Sequence, residues 1–176
     1  MDYEIVAKVF EKIESTTKRL EMTDYLVELF NKTPDDVVDK VVYLIQGKVL
    51  PDYEGVELGL AEKLTIKAIA LSSGISEKKL EEMYQKLGDL GSVAEEAIKN
   101  KKQVSLFREK LTVEKVYDNF LKIAKATGSG SQDRKIKYLA ELLNNSTPLE
   151  ARYIVRTVQK RLRLVIADMT VLDALA

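Results

Sequence analysis

The chain has 176 residues, of which 45% are hydrophobic and 32% are charged, and its formal net charge is zero. It contains neither cysteine nor histidine, which excludes a disulfide framework, thiolate or imidazole metal ligands and catalysis by a histidine base. The apolar content is sufficient for the core of one domain, or of two small halves that share a core.

Apolar residues recur at helical spacing without the alternation of strands, so we predict an all-α fold, a pseudo-duplicated bundle of about ten to twelve helices. The helices are predicted, in chain order, over 3–20, 23–31, from Thr33-Pro34 onward, 60–72, 76–86, 91–100, 113–126, 132–144 and from Thr147-Pro148 onward. Each Thr-Pro pair is typical of a helix start, with threonine as the N-cap. Glu150 completes a capping box with Thr147, and Gly88 and Gly91 are expected to cap helices.

An internal repeat runs through these helices. The stretch "YLVELFNKTP" at 25–34 matches "YLAELLNNSTP" at 138–148, "VYLIQGK" at 42–48 lies over "VRTVQKR" at 155–161, and "LGLAEKLTIKAIA" at 58–70 lies over "LVIADMTVLDALA" at 164–176. The ordered set predicts a single domain, 1–176, built from halves at about 3–73 and 113–176 with a connector over 74–112.

The zero net charge hides an asymmetry between the two parts of the chain. Residues 1–98 carry 12 Lys and Arg against 20 Asp and Glu, a charge of −8, whereas residues 99–176 carry 16 against 8, a charge of +8. A polyanionic partner would therefore meet a basic surface only in the second part, although two solvated faces of opposite sign would give the same count. No apolar run is long enough to predict a membrane span, and the acidic N-terminus is unlike a secretory signal, so we expect a cytoplasmic protein.

The stretch "TGSGSQDRK" at 127–135 combines the groups that bind phosphate. Gly128 and Gly130 allow a close backbone approach, Ser129 and Ser131 offer hydroxyls, with Ser131 the expected N-cap, and Arg134 and Lys135 follow in the next helix. The alternative is an ordinary glycine turn with solvated charges.

The first half has a counterpart to this loop in "STTKRLEMT" at 15–23, which places Lys18 and Arg19 at the equivalent position. Two related basic loops on a pseudo-twofold axis would suit a ligand with its own local twofold, such as duplex nucleic acid.

The combination of "VVYLIQGKVLPDYEGVELGLAEKL", "LGDLG", "IAKATGSGSQDRK", "EARYIVR" and "TVLDALA" resembles the N-terminal DNA-binding domain of ATP-dependent DNA ligases, particularly archaeal ones, over essentially the whole chain. The resemblance implies an all-helical module that grips the minor groove of double-stranded DNA on both sides of a nick, for strand joining in replication and repair. It also implies separate catalytic domains that carry a K-x-D-G lysine and use ATP and Mg²⁺. The sequence has no K-x-D-G, so we expect a DNA-binding fragment with no catalytic, cofactor-binding or metal-binding residues of its own.

The resemblance further implies that Arg161 and Arg163 meet the DNA backbone near the nick, and it names a sliding clamp as a candidate partner of the parent enzyme. Gly47 and Lys48 form the matching helix exit in the first half. The family usually has glycine where Lys160 and Val165 stand. A positive φ at either position would cost about 1–2 kcal/mol, so we predict instead one helix from Pro148 almost to the end of the chain, with Lys160 as a further DNA contact.

Other classes of function remain open at this stage. Duplicated helical units also serve as scaffolds for protein partners, and Arg161 and Arg163 could simply be basic residues at a helix C-terminus. An enzyme complete in itself is disfavoured because the sequence offers neither a nucleophile–base pair nor a nucleotide cradle. The sequence leaves the oligomeric state open.

Overall fold

The computed structural model describes residues 1–51, 54–101, 108–162 and 168–175. Within these ranges the chain forms ten α-helices and no strand, with one isolated antiparallel bridge between Asp2 and Thr112. The all-α prediction is therefore confirmed. The helices are α1 (Tyr3–Glu14), α2 (Arg19–Asn31), α3 (Val38–Gln46), α4 (Glu62–Ser73), α5 (Glu77–Leu87), α6 (Leu90–Lys99), α7 (Val113–Lys125), α8 (Ser131–Asn144), α9 (Pro148–Val158) and α10 (Asp168–Leu175).

The core is mostly aliphatic and contains four aromatic side chains that are at most 1% exposed, Tyr3, Phe10, Phe120 and Tyr153. Phe10 of α1 meets Tyr153 of α9 edge to face, with ring centroids 5.5 Å apart. Such pairs add about 0.5–1.5 kcal/mol to the free energy of burial alone. The aromatic pair therefore fixes α9 against the first helix of the chain.

The helices pack in a reciprocal pattern between the two predicted halves. Helix α4 packs on α8 while α10 packs on α2, and α1 packs on α9 while α7 packs on α3. The connector helices α5 and α6 lie against α4, and α6 also packs along α9. Each of these contacts is thus matched by a contact between the helices that the repeat makes equivalent, and the duplication itself stays a prediction.

Gly91 lies inside α6, on the side that packs against α9, and it does not cap a helix as expected. A Cβ at this position would lie 2.6 Å from Cγ of Arg156 and 2.7 Å from the carbonyl oxygen of Arg152. Asp89 caps α6 instead, accepting from the amides of Gly91 and Ser92. The other expected cap is confirmed, since Gly88 ends α5 in the left-handed conformation at φ 71°.

The boundary between α1 and α2 lies earlier than predicted. Helix α1 ends at Glu14, because the hydroxyl of Ser15 donates to the carbonyl of Lys12 at 2.6 Å and closes the last turn. Thr16 donates to the Glu21 carboxylate and accepts from the amide of Lys18 at 3.1 Å. These hydroxyls compete with the helical backbone bonds, so the chain turns before α2 begins at Arg19.

The two Thr-Pro pairs behave differently. Thr147 forms the predicted capping box, accepting from the amide of Glu150 at 3.1 Å, while the Glu150 carboxylate accepts from the amide of Thr147 at 2.8 Å. Thr33 does not cap α3. Its hydroxyl donates back to the carbonyl of Leu29 at 2.7 Å, and the chain makes a turn before α3 starts at Val38.

The prediction of one helix running on from Pro148 is wrong, because α9 ends at Val158 and Lys160 adopts a left-handed conformation with φ 56°. The amide of Arg161 donates to the carbonyl of Arg156 at 2.8 Å. Helix α3 ends in the same way at Gly47, with φ 69° and a 2.9 Å bond from the amide of Lys48 to the carbonyl of Tyr43. Lys160 thus takes the conformation that glycine takes in the first half. Val165 lies outside the described residues.

Candidate nucleic-acid interface

The loop between α7 and α8 makes a tight turn at two glycines. Gly128 and Gly130 have φ angles of 82° and 76°, and the amide of Ser131 donates to the carbonyl of Gly128 at 3.2 Å. Gly130 occupies the N-cap position and Ser131 is the first residue of α8, so the expectation that Ser131 is the cap is wrong. Gly130 has no side chain that could cap α8, and Ser131 already lies within the helix.

Arg134 holds this loop together. Its guanidinium donates to the carbonyl of Thr127 at 2.9 Å and to that of Ser129 at 3.1 Å, while the side chain remains exposed. Two loop carbonyls are therefore bound on the protein side. The amides of Gln132 and Asp133, at the second and third positions of α8, have no acceptor within the helix, as at any helix N-terminus. The arrangement places a positive charge beside free amide donors, which is the chemistry of an anion site.

Lys135, Lys137 and Lys125 lie close in sequence to this loop. Lys135 is half-buried, whereas Lys137 in α8 and Lys125 at the end of α7 are exposed. Helix α4, which packs on α8, adds Lys67 at a cleft that it shares with Asp133 and Lys137. The cleft also contains Glu77, so the cations around the N-terminal part of α8 are interspersed with carboxylates, in the part of the chain where the sequence placed the net positive charge.

The equivalent loop in the first half is tied into local ion pairs. Lys18 lies 3.8 Å from Glu21, one turn along α2, and Arg19 lies 3.5 Å from Asp173 of α10. All four side chains are exposed, so each pair contributes little stability. Lys18 and Arg19 thus lie at the N-cap and first position of α2, whereas Arg134 and Lys135 lie one turn inside α8.

The two left-handed helix exits meet at one cleft. Gly47, Lys48 and Lys160 line a cleft of about 200 Å³ together with Glu57. The ammonium of Lys160 lies 2.7 Å from the Glu57 carboxylate. The structure therefore brings together three of the residues that the sequence nominated, although an acidic neighbour accompanies them.

Arg161 lies in a neighbouring cleft of about 560 Å³ that also contains Glu14, at the end of α1, and Arg156. The side chain of Arg161 is exposed. Its cleft adjoins the loop that carries Lys18, since that loop follows Glu14 directly. Arg163 lies outside the described residues, so the structure does not place the two arginines relative to one another.

Sequence reasoning missed the role of the two arginines of α9. Arg156 donates to Asp89 at 3.0 Å and to Glu14 at 2.9 Å, and Arg152 pairs with Glu95 at 2.6 Å. Their spacing of four residues places both on the face of α9 that packs on α6. These cations link neighbouring helices by ion pairs. The signals available in the sequence were the four-residue spacing of the two arginines and an aspartate, Asp89, at the start of another helix.

The Asp89 carboxylate is the most constrained charge of this group. Burial by itself raises the pKa of Asp89. The hydrogen bonds from Arg156 and Ser92 lower that pKa by more than burial raises it, so the pKa lies below its ordinary value. The carboxylate is therefore ionised and paired at neutral pH. This pair holds the α6 N-terminus against α9, and both residues line the cleft that contains Arg161.

Within the described parts of the chain, no cluster of carboxylates is arranged to hold a metal ion. None of the helices described is both long enough and apolar enough to cross a membrane.

Comparison with known proteins identifies the family. A family model described as DNA ligase N terminus matches residues 2–176. A DNA ligase from Nitrosopumilus maritimus is 56% identical over 176 residues, which is all of this chain and 30% of that protein. Proteins named DNA ligase 2 from Korarchaeum cryptofilum and Thermofilum pendens are each 52% identical, again over the whole chain and 30% of the relative.

The matched region is thus only part of these relatives, and the chain spans 30% of their length. The match nevertheless covers the chain from its second residue to its last and includes both loops and both helix exits described above. The chain belongs to the DNA ligase N-terminal family.

Proposed function

We propose that the chain is the DNA-binding module of an ATP-dependent DNA ligase, which holds nicked double-stranded DNA through phosphate and minor-groove contacts for strand joining in replication and repair. The observation that carries the proposal is the start of α8, where Arg134 fixes two loop carbonyls beside free helix amides. The family membership supplies the class of ligand.

The physical basis is contact with the sugar-phosphate backbone. Amides at a helix N-terminus and nearby cations bind phosphates without reading base sequence, as a nick in arbitrary DNA requires. We propose that Gly128–Lys135 contacts one stretch of backbone and that Lys18 and Arg19 contact another, related by the duplication. Lys160, Arg161, Arg163, Gly47 and Lys48 are proposed as further contacts.

The chemistry of ligation is assigned to the rest of the protein. The sequence contains no K-x-D-G motif, and we propose that ATP and Mg²⁺ act in domains outside this chain. A sliding clamp as partner and a cytoplasmic location are part of the same proposal.

Binding measurements at increasing salt test the proposal. We expect the chain to bind a labelled duplex with a central nick, with the logarithm of affinity falling linearly with the logarithm of salt at a slope of about −0.9 per phosphate contacted. An intact duplex and a single strand of the same length serve as competitors. If affinity does not depend on salt, or if a single strand competes as well as duplex, the proposal is wrong and a scaffold for protein partners becomes the better explanation.

A further inference from the structure

Two leucines of α10 are unusually exposed for their place in the repeat. Leu172 is 57% exposed and Leu175 is 45% exposed. The alignment of 58–70 with 164–176 places them over Ile66 and Ile69 of α4, which are 4% and 0% exposed. Equivalent positions are therefore buried in the first half and open in the second.

The difference is confined to one face of the two helices. Val171 and Ala174 of α10 are 4% and 8% exposed, and their counterparts in α4, Thr65 and Ala68, are both fully buried. Helix α10 packs on α2 and α4 packs on α8, and Thr65 also accepts a hydrogen bond from Gln159, just after α9, at 2.7 Å. The face that carries Leu172 and Leu175 is the one that differs.

The connector adds two helices to the packing around α4 in the first half. Helices α5 and α6 follow α4 in the chain and pack against it, and α6 extends across to α9. The equivalent of α9 in the first half is α3, where Val42 corresponds to Val155. Val155 is fully buried, whereas Val42 is only partly buried. Helix α6 packs on α4 and α9. The equivalent helices, α10 and α3, have apolar side chains that are more exposed than their counterparts.

We infer that the polypeptide following residue 176 in the full-length protein covers Leu172 and Leu175 and lies across α10 and α3, as α6 lies across α4 and α9. The relatives have the length for this, since the chain spans only 30% of them. The occupant is an apolar helical segment, because a leucine pair three residues apart on one helix face is complemented by another helix. The inference rests on the repeat and the relatives' length, and it is independent of DNA binding.

Cysteine labelling in the full-length protein tests the cover. Leu172→Cys is compared with the control Leu71→Cys on α4, because Leu71 is 66% exposed and lies one position beyond the aligned repeat. The alkylation rate of each introduced thiol by a maleimide is measured by mass spectrometry of its peptide. We expect the thiol of the Leu172→Cys variant to react at least tenfold more slowly than that of the Leu71→Cys variant. Equal rates would overturn the inference.

Two additional measurements distinguish the proposed occupant from others. Repeating the reaction after hundredfold dilution tests for a second copy of the protein, since protection that disappears on dilution would overturn the inference. Val42→Asp in the Leu172→Cys background tests the bridge from α10 to α3. We expect it to raise the labelling rate at least fivefold, whereas Leu87→Asp, at an exposed position at the end of α5, leaves the rate unchanged. An unaltered slow rate in the Val42→Asp chain would overturn the bridging arrangement.

Discussion

The guanidinium of Arg156 contacts the carboxylate of Asp89 through two of its nitrogens, Nε at 3.0 Å and Nη2 at 2.9 Å. Asp89 at the same time caps α6 by accepting from the amides of Gly91 and Ser92. The Asp89 carboxylate therefore caps the start of α6 and also binds this helix to α9. The pairing is partly shielded from solvent, so its loss leaves a poorly compensated charge.

Asp89→Asn should lower the stability of the protein at neutral pH and flatten its response to acid. Because the pKa of Asp89 is lowered in the folded state, its contribution is fully present above the unfolded value of about 3.9 and is lost as pH falls through that value toward the folded pKa. We expect a loss of about 1.5–3 kcal/mol at pH 7, as for hydrogen bonds to charged groups. Urea unfolding at pH 7 and pH 3 measures it.

The control for this change is Asp118→Asn in α7, a carboxylate outside the Arg156 network. Asp118 is exposed, so the stability difference of this variant from the parent at pH 7 should be small. A deficit in Asp89→Asn that is as large at pH 3 as at pH 7 would contradict the assigned pairing.

Gly91→Ala should be strongly destabilising although alanine favours helices. The added Cβ would meet the carbonyl oxygen of Arg152 at 2.7 Å, and the backbone there cannot move without separating α6 from α9. We expect a loss of about 1–3 kcal/mol, as for overpacked sites. Lys99→Ala, at the exposed last residue of the same helix, serves as the control because it adds no atom between α6 and α9. A neutral Gly91→Ala would show that the two helices are farther apart than described.

The two left-handed helix exits predict opposite responses to reciprocal changes. Gly47→Ala should destabilise the protein by about 1–2 kcal/mol, purely through backbone strain, because no atom lies within 4 Å of the added Cβ. Lys160→Gly should relieve a similar strain, offset by glycine's greater freedom when unfolded and by loss of the exposed pair with Glu57. We therefore expect a gain of up to about 1 kcal/mol. Thermal or urea unfolding of both variants provides the measurement, and a destabilised Lys160→Gly would contradict it.

The proposed phosphate site predicts that geometry and charge act separately at the start of α8. Arg134→Lys keeps the charge but loses the planar fork that holds Thr127 and Ser129, so affinity for nicked duplex should fall while the salt slope persists. Lys135→Ala should make the slope shallower by about 0.9. Fluorescence anisotropy at several salt concentrations measures both quantities.

Lys78→Ala, which removes an exposed cation from α5, provides the matched control. It should leave both affinity and slope unchanged. An Arg134→Lys variant with unaltered affinity would show that the loop conformation held by this arginine does not matter for binding.

Much of the fold follows from local sequence signals. Apolar spacing locates the helices, and the capping box of Thr147 and Glu150 forms as predicted because both partners lie within one helical turn. Local signals failed where a residue had two local partners to choose between. Thr33 precedes a proline just as Thr147 does, yet its hydroxyl donates to Leu29 in the helix before it.

The candidate site was less predictable, because it depends on contacts between distant segments. The sequence nominates Arg134 as a cation but cannot show that its guanidinium returns to carbonyls five and seven residues earlier. It also gives no indication that Lys160 faces Glu57, which lies 103 positions away in the chain. The sequence thus showed which cationic side chains the chain contains. The tertiary packing determined which protein groups each of these side chains contacts.

The last helix of each half packs on the other half, α4 on α8 and α10 on α2, and this has a consequence for how the protein folds. Helix α2 ends at Asn31 and its partner α10 begins at Asp168, so α2 lacks this partner until the chain has been synthesised beyond residue 168. Contacts between such remote segments slow folding because a long loop must close first. Neither half should fold when expressed alone, and the intertwined domain should melt in a single cooperative transition.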